Sequence, residues 1–238
     1  MLTQPVLSGR ITRPPLPDDD WYEDRYADRL AAGRRLAERL QAFRGGRALV
    51  LALPPGGVVV AGELARALRL PLDVMLARAF SAPLYPAVVA GAISEGGGLC
   101  FNRMALRLPG ITPALVWKEA CRARCDLAAL VAQYRGERGL TPLGRRAVIL
   151  VDDGIGDGLI QLAALQSLHH AHVHHCVVAT PRATAAAIHC IGHHADEIVA
   201  LEIVEDALGG SAPHWRRLMG DDETPALFEQ CRMRMVGR

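Results

Sequence analysis

The segment Ala147–Val151 is the most strand-like run in the chain. It stops directly at Asp152-Asp153-Gly154 and continues as Ile155-Gly156-Asp157-Gly158. A strand that ends in two carboxylates and a glycine-rich turn into a helix constrains the fold more than any other feature. It calls for a sheet whose strands finish at a common edge, with helices carrying the chain back to the opposite edge. The rest of the sequence supplies that alternation. Residues 48–53, 72–77, 173–179 and 198–203 read as strands, and residues 58–68, 159–169 and 183–192 as helices. Two short apolar pieces, 88–93 and Leu99–Phe101, predict a hairpin around Gly96-Gly97-Gly98. Thr112 and Pro113 open a long helix whose buried face is Ala120, Ala123, Leu127, Leu130 and Tyr134. Strands separated by helices of about ten or more residues imply parallel crossovers and a sheet covered on both faces. The expected fold class is therefore α/β, a parallel sheet with helices on both faces plus a small cap from the terminal segments.

A chain of 238 residues suits one such domain. Residues 1–17 are Pro-rich and read as an extended arm, 18–204 as the core, and 205–238, without a clear period, as a peripheral cap. Asp18, Asp19 and Asp20 supply N-cap and first-turn charge for a helix to about Phe43. Ala32, Leu36, Leu40 and Phe43 form its buried stripe, and Gly45-Gly46 stops it.

Charge and hydropathy exclude some partners. The net charge of +2 is too balanced to argue for nucleic acid or a membrane surface. No stretch approaches the roughly 20 apolar residues of a membrane span, and the first 17 residues do not look like a secretory signal. The expected location is cytoplasmic, with Cys100, Cys121, Cys125, Cys176, Cys190 and Cys231 as reduced, buried thiols.

In an open parallel sheet, ligands bind at the carboxyl ends of the strands, near a switch in strand order. Two loops suit that position. Leu53-Pro54-Pro55-Gly56-Gly57 has glycines that permit close backbone approach, and an X-Pro bond that makes a cis peptide affordable. The second loop, Asp152 to Gly158, offers backbone N–H groups at the positive end of a helix, which suits a phosphate. Adjacent carboxylates suit two neighbouring ribose hydroxyls. The plainer readings are that Asp152 and Asp153 cap the strand end and that Asp157 caps the following helix. The glycine spacing is not that of a dinucleotide-binding loop. His169, His170, His172, His174 and His175 cluster, with His189, His193 and His194 later; His172 and His174 alternate on the approach to a strand, so they could face one side and bind a metal such as zinc or nickel. A solvated turn is the plainer account, and no metal ligands are assigned.

Val148-Ile149-Leu150-Val151-Asp152-Asp153-Gly154 resembles the start of the phosphoribosyl pyrophosphate (PRPP) motif of type I phosphoribosyltransferases. Leu51 to Val58 resembles the pyrophosphate loop of a bacterial branch of that family. Leu72-Asp73-Val74, Arg78, Ala82-Pro83, Gly91-Ala92-Ile93 and Glu95-Gly96-Gly97 follow the branch in order. The resemblance runs from about Asp24 to Leu201. It implies that Asp152 and Asp153 hold ribose hydroxyls and that Gly154, Ile155, Gly156, Asp157 and Gly158 receive the 5′-phosphate. Pro55, Gly56, Gly57 and Arg78 would line the rest of the substrate site. Mg²⁺ is the implied cofactor of an active enzyme. A small phosphorylated or ribose-containing ligand and a homodimer are the implied partners.

The departures point the other way. The family's hydroxyl-bearing phosphate loop is replaced by Gly156, Asp157, Gly158, Leu159 and Ile160, and Asp157 sets a negative charge where a dianion should sit. Like charges about 4 Å apart repel by about 1 kcal/mol even in water. Pro55 stands where an arginine is usual, Ala79 where the branch has a lysine, and Tyr85-Pro86-Ala87 where it has Asn-Pro-Glu. Two functions follow as expectations. One is a PRPP-dependent transferase with activity lost or altered. The other is a non-catalytic ligand-sensing or partner-binding protein on the same fold.

Overall fold

In the computed structural model, residues 10–12, 29–205 and 224–236 are described. The expected first-turn carboxylates Asp18, Asp19 and Asp20 lie outside them, as does most of the expected arm. Within the arm, β1 (Arg10–Thr12) pairs in parallel with the last strand. Helix α1 spans Arg29–Arg39 and ends in a 3-10 turn, Gln41–Phe43, rather than running on to Phe43.

The main sheet joins β1 to β2 (Leu49–Ala52), β3 (Leu72–Val74), β7 (Ala147–Val151), β8 (His175–Thr184) and β9 (Glu197–Val204). These six parallel strands lie in the order β1-β9-β8-β7-β2-β3. Strand residues alternate between two cores. Val50, Ala52, Ile149 and Val151 face α1, α2 (Gly57–Leu68) and α6 (Thr224–Val236). Leu49, Leu51, Val148 and Leu150 face α4 (Leu159–His170) and α5 (Ala185–Ile191). Both faces are apolar because both are covered, as buried parallel strands require. At the α1–α2 crossing a Cβ on Gly33 would lie 2.6 Å from the Val60 carbonyl oxygen, so only glycine lets the helices approach this closely.

Residues 72–77 do not form the single strand expected. After Val74 the chain leaves the main sheet, because the Glu95 carboxylate takes the Leu76 N–H at 2.7 Å and Glu95 N–H returns to the Leu76 carbonyl. It then enters a second, antiparallel sheet of β4 (Ala77–Ala82), β5 (Tyr85–Ser94) and β6 (Leu99–Phe101). The expected hairpin is its β5–β6 part. Its glycine turn docks on α4: Gly98 N–H donates to Ser167 Oγ at 2.8 Å, and Ser94 Oγ donates to the Ala163 carbonyl at 2.8 Å. A Cβ on Gly98 would lie 1.9 Å from that same carbonyl oxygen.

Helix α3 (Pro113–Arg135) buries the face read from the sequence, with the Thr112 hydroxyl accepting from Leu115 N–H. Its last residue, Arg135, reaches the edge of the main sheet, where it binds Asp73 at 2.9 Å, Glu95 at 2.9 Å and the Val74 carbonyl. Strand β8 runs five residues past the expected end at Ala179, because Arg182, Ala183 and Thr184 stay paired with β9. The segment after Glu205, expected without a periodic element, contains α6. That helix lies on α2 where Gly62 meets Cys231, and it buries Phe228.

The thiols are not uniformly buried. Cys100 and Cys176 are, and burial first of all pushes them up to about 11 and about 12. Cys125 is exposed, and Cys121, Cys190 and Cys231 are half-buried. No helix among the described residues is long and apolar enough to cross a membrane.

Candidate functional site

The strand order reverses between β2 and β7. From β2 the chain runs outward to β3; from β7 it runs the other way through β8 and β9. The loops leaving these neighbours diverge, and their carboxyl ends form the crevice where open sheets bind ligands. Both loops singled out in the sequence sit there.

They also touch. Pro54–Pro55 is a cis peptide bond. Gly56 lies so close to the carboxylate of Asp153 that a Cβ would sit 1.8 Å from Oδ2. Gly57 begins α2 against the end of β7, where a Cβ would lie 2.7 Å from the Val151 carbonyl oxygen. These two glycines are required by close approach, as the sequence suggested.

Asp153 is not open to solvent on its other side. The Arg29 guanidinium, from the first turn of α1, donates to Asp153 Oδ2 through Nε at 2.9 Å and through its terminal nitrogen at 2.8 Å. Both side chains are nearly buried, 11% and 14% exposed. Asp152 turns the opposite way: Oδ1 accepts from Asp153 N–H at 2.7 Å, and Oδ2 accepts from Gln161 Nε2 on α4. Burial, and then the charge of Asp153, raise its pKa well above the ordinary carboxylate value. The two carboxylates that resemblance assigns to ribose hydroxyls are thus each engaged by the protein itself.

The loop beyond them is pinned on one side and open on the other. Ile155 is buried and pairs with Ala183, donating to the Arg182 carbonyl at 2.9 Å and accepting from Thr184 N–H at 3.0 Å. The Thr184 hydroxyl donates to the Gly156 carbonyl and accepts from Ala187 N–H, so it ties the loop to the start of α5. Gly158 takes φ +78, the left-handed region glycine favours, and starts α4. Asp157 is exposed and stands one residue before the helix N-cap, which is Gly158 rather than the expected Asp157; its Oδ1 accepts from Leu159 N–H at 3.0 Å in a local turn. The N–H groups of Gly156, Asp157 and Gly158 meet no acceptor among the described residues. They surround the positive end of α4.

Arg78 stands apart. It is half-buried on β4, opposite Ile93 of β5, in the hairpin sheet rather than on either loop of the crevice. The histidines do not share a strand. His172 has φ +54 and His174 precedes β8, because Val173 N–H closes α4 by donating to the Leu168 carbonyl. His169 stacks on His194 with ring centroids 6.2 Å apart; burial and then His169 and His193 lower the His194 pKa. No group of three His, Cys, Asp or Glu side chains that could hold a metal occurs among the described residues.

Arg29, Gln161 and Thr184 are the site residues that sequence reasoning missed. Gln161 could have been found, since three residues past the glycine turn puts it on the first turn of α4. Nothing local connects position 29 to position 153.

No family model matches the chain. Two Mycobacterium tuberculosis proteins, named "Putative phosphoribosyl transferase Rv0571c" and "Putative phosphoribosyl transferase MT0597", are each 34% identical to it over 176 residues. The match takes in 74% of this chain and 40% of each relative, so the chain spans less than half the length of the curated relatives it matches. The crystal structure of TT1426 from Thermus thermophilus is similar with a TM-score of 0.69 and 36% identity, covering 87% of this chain and 98% of that one.

Proposed function

The chain belongs to the type I phosphoribosyltransferase family, and on that premise we propose that it keeps a site for the phosphate of a small phosphorylated or ribose-containing ligand while PRPP-dependent transfer is lost or altered. The observation that carries this reading is the internal engagement of both strand-end carboxylates, Asp153 by Arg29 and Asp152 by Gln161. A ribose diol reaching for them must displace protein hydrogen bonds that are already made.

The phosphate half of the site has lost its hydroxyls but keeps its backbone donors. Three backbone N–H groups and a helix N-terminus favour an anion there, against the opposing charge of Asp157. Mg²⁺, which the family implies for an active enzyme, does not fit the carboxylates as they stand. Asp152 is desolvated and bonded to Gln161, and Asp153 already faces a guanidinium. Transfer relies on positioning and on charge neutralisation, and here Pro55 supplies no cation to the pyrophosphate loop.

The alternative, a partner-binding protein on the same fold, draws on a separate observation. Large apolar side chains stand exposed near the hairpin sheet and the start of α3: Leu84 at 74%, Met104 at 71% and Trp117 at 56%. Such a concentration supports an interaction surface. Light scattering on the purified chain checks the homodimer it would accommodate.

The deciding experiment is calorimetric titration of Mg²⁺-PRPP into the natural protein and into the Asp157→Thr/Ile160→Thr variant. The expected result is no micromolar binding by the natural chain and measurable binding by the variant. Micromolar binding by the natural chain, followed by turnover with a purine or pyrimidine base, overturns the proposal.

A further inference from the structure

A second cavity, of about 760 Å³, lies beside edge strand β3, between the carboxyl-terminal turns of α2 and α3 and helix α6. Leu70, Pro71 and Leu72, at the amino end of β3, line it, so it opens away from the carboxyl-end crevice. Its volume falls in the range of small-molecule sites.

Five guanidinium groups reach its wall: Arg66, Arg69, Arg135, Arg138 and Arg232. Arg66 is answered by Glu63 at 2.6 Å, and Arg135 by Asp73 and Glu95 at 2.9 Å each. Arg138 and Arg232 share the one carboxylate of Glu229, at 2.8 Å each. Arg69 has no carboxylate partner among the described residues. Glu63 also faces Arg34 at 3.8 Å, so among the described residues the guanidiniums outnumber the carboxylates that answer them. Arg69 also ends α2 with φ 56 and ψ 45, the left-handed conformation that glycine adopts freely and an arginine only at a cost. Leu70, Pro71, Tyr134 and Phe228 form the apolar part of the lining, beside the polar Asp73 and Thr141.

We propose that this cavity binds a small organic anion with an apolar, ring-sized body, its carboxylate or sulfonate held by Arg69 and its ring laid against Leu70 and Pro71. The positive surplus favours an anion. The apolar wall requires more than an inorganic anion. The site is independent of the crevice and of whatever the crevice binds.

The test uses the full chain and 8-anilinonaphthalene-1-sulfonate as a fluorescent probe, displaced in turn by benzoate, inorganic phosphate and ribose 5-phosphate. Saturable probe binding displaced by benzoate alone is expected. Arg69→Gly removes the guanidinium and relieves the positive φ, so the melting temperature should not fall while probe affinity drops about tenfold, the loss of one charge-assisted contact. Arg138→Gln, on an exposed side chain, should weaken binding without touching α2. Unsaturable binding, unchanged affinity in both variants, or equal displacement by inorganic phosphate overturns the proposal. Displacement by ribose 5-phosphate does so too, since it would put the probe in the crevice.

Discussion

Arg29 and Asp153, 124 residues apart in the chain, meet in a nearly buried ion pair that fastens α1 to the end of β7. Removing one partner of such a pair leaves the other desolvated and unanswered. Arg29→Ala is therefore expected to lower stability by about 2–3 kcal/mol, read from the midpoint of urea unfolding. The same variant frees Asp153, so it should bind ribose 5-phosphate more tightly than the natural chain. Unchanged stability would show that the pair holds nothing.

Asp152 predicts a pH dependence with a definite sign. Its folded pKa is raised, mainly by burial and then by Asp153. The folded chain thus binds more protons than the unfolded one between the unfolded and folded values, and stability from this group falls as pH rises through that window. Below the ordinary value of 3.8 the penalty is absent. Asp152→Asn should leave the melting temperature at pH 3.5 unchanged and raise it at pH 7.5. A shift of equal size at both pH values would mean that ionisation is not its source.

The hairpin turn rests on α4 through a glycine with no room to spare. Gly98→Ala sets a methyl group 1.9 Å from the Ala163 carbonyl oxygen. Ser94, Ser167 and the turn must all shift. A loss of about 3 kcal/mol is expected, with the greatest gain in hydrogen exchange at position 98 and at Leu99, whose N–H groups donate to Ser167 and Gln166 on α4. Wild-type exchange at those positions would place the strain elsewhere.

Asp157 combines a hydrogen bond to the first residue of α4 with a repulsive charge. Asp157→Ala should lose about 0.5–1 kcal/mol of stability through the Leu159 N–H. It should also gain affinity for sulfate or phosphate at the start of α4, measured by calorimetry. Lower stability without any gain in anion affinity would show that these N–H groups form no anion site.

Much of this was legible in the sequence, for local reasons. The buried stripe of α3 repeats at helical spacing, and Ala147–Val151 could be little but a central strand. Gly56 and Gly57 announced a close approach, and the cis bond beside them was foreseeable from Pro54-Pro55. What escaped depended on distant partners. Residues 72–77 read as one strand because nothing local reveals that Glu95 takes the Leu76 N–H and turns the chain out of the sheet. The extension of β8 to Thr184 depends on pairing with β9 and on Ile155. Asp152 and Asp153 were correctly placed at the crevice. Their engagement by Gln161 and Arg29 rests on contacts between elements that sequence order does not join.

At the margin of the main sheet, Arg135 donates to the Val74 carbonyl, and Thr141 N–H turns to the Asp73 carboxylate at 3.2 Å. A β-strand left bare there would invite another chain to add itself by backbone hydrogen bonding, the route by which sheets grow into aggregates. A guanidinium occupies that invitation. Along β3 the sheet is finite by construction, and association across this margin must proceed through side chains, which can be selective, rather than through the main chain, which cannot.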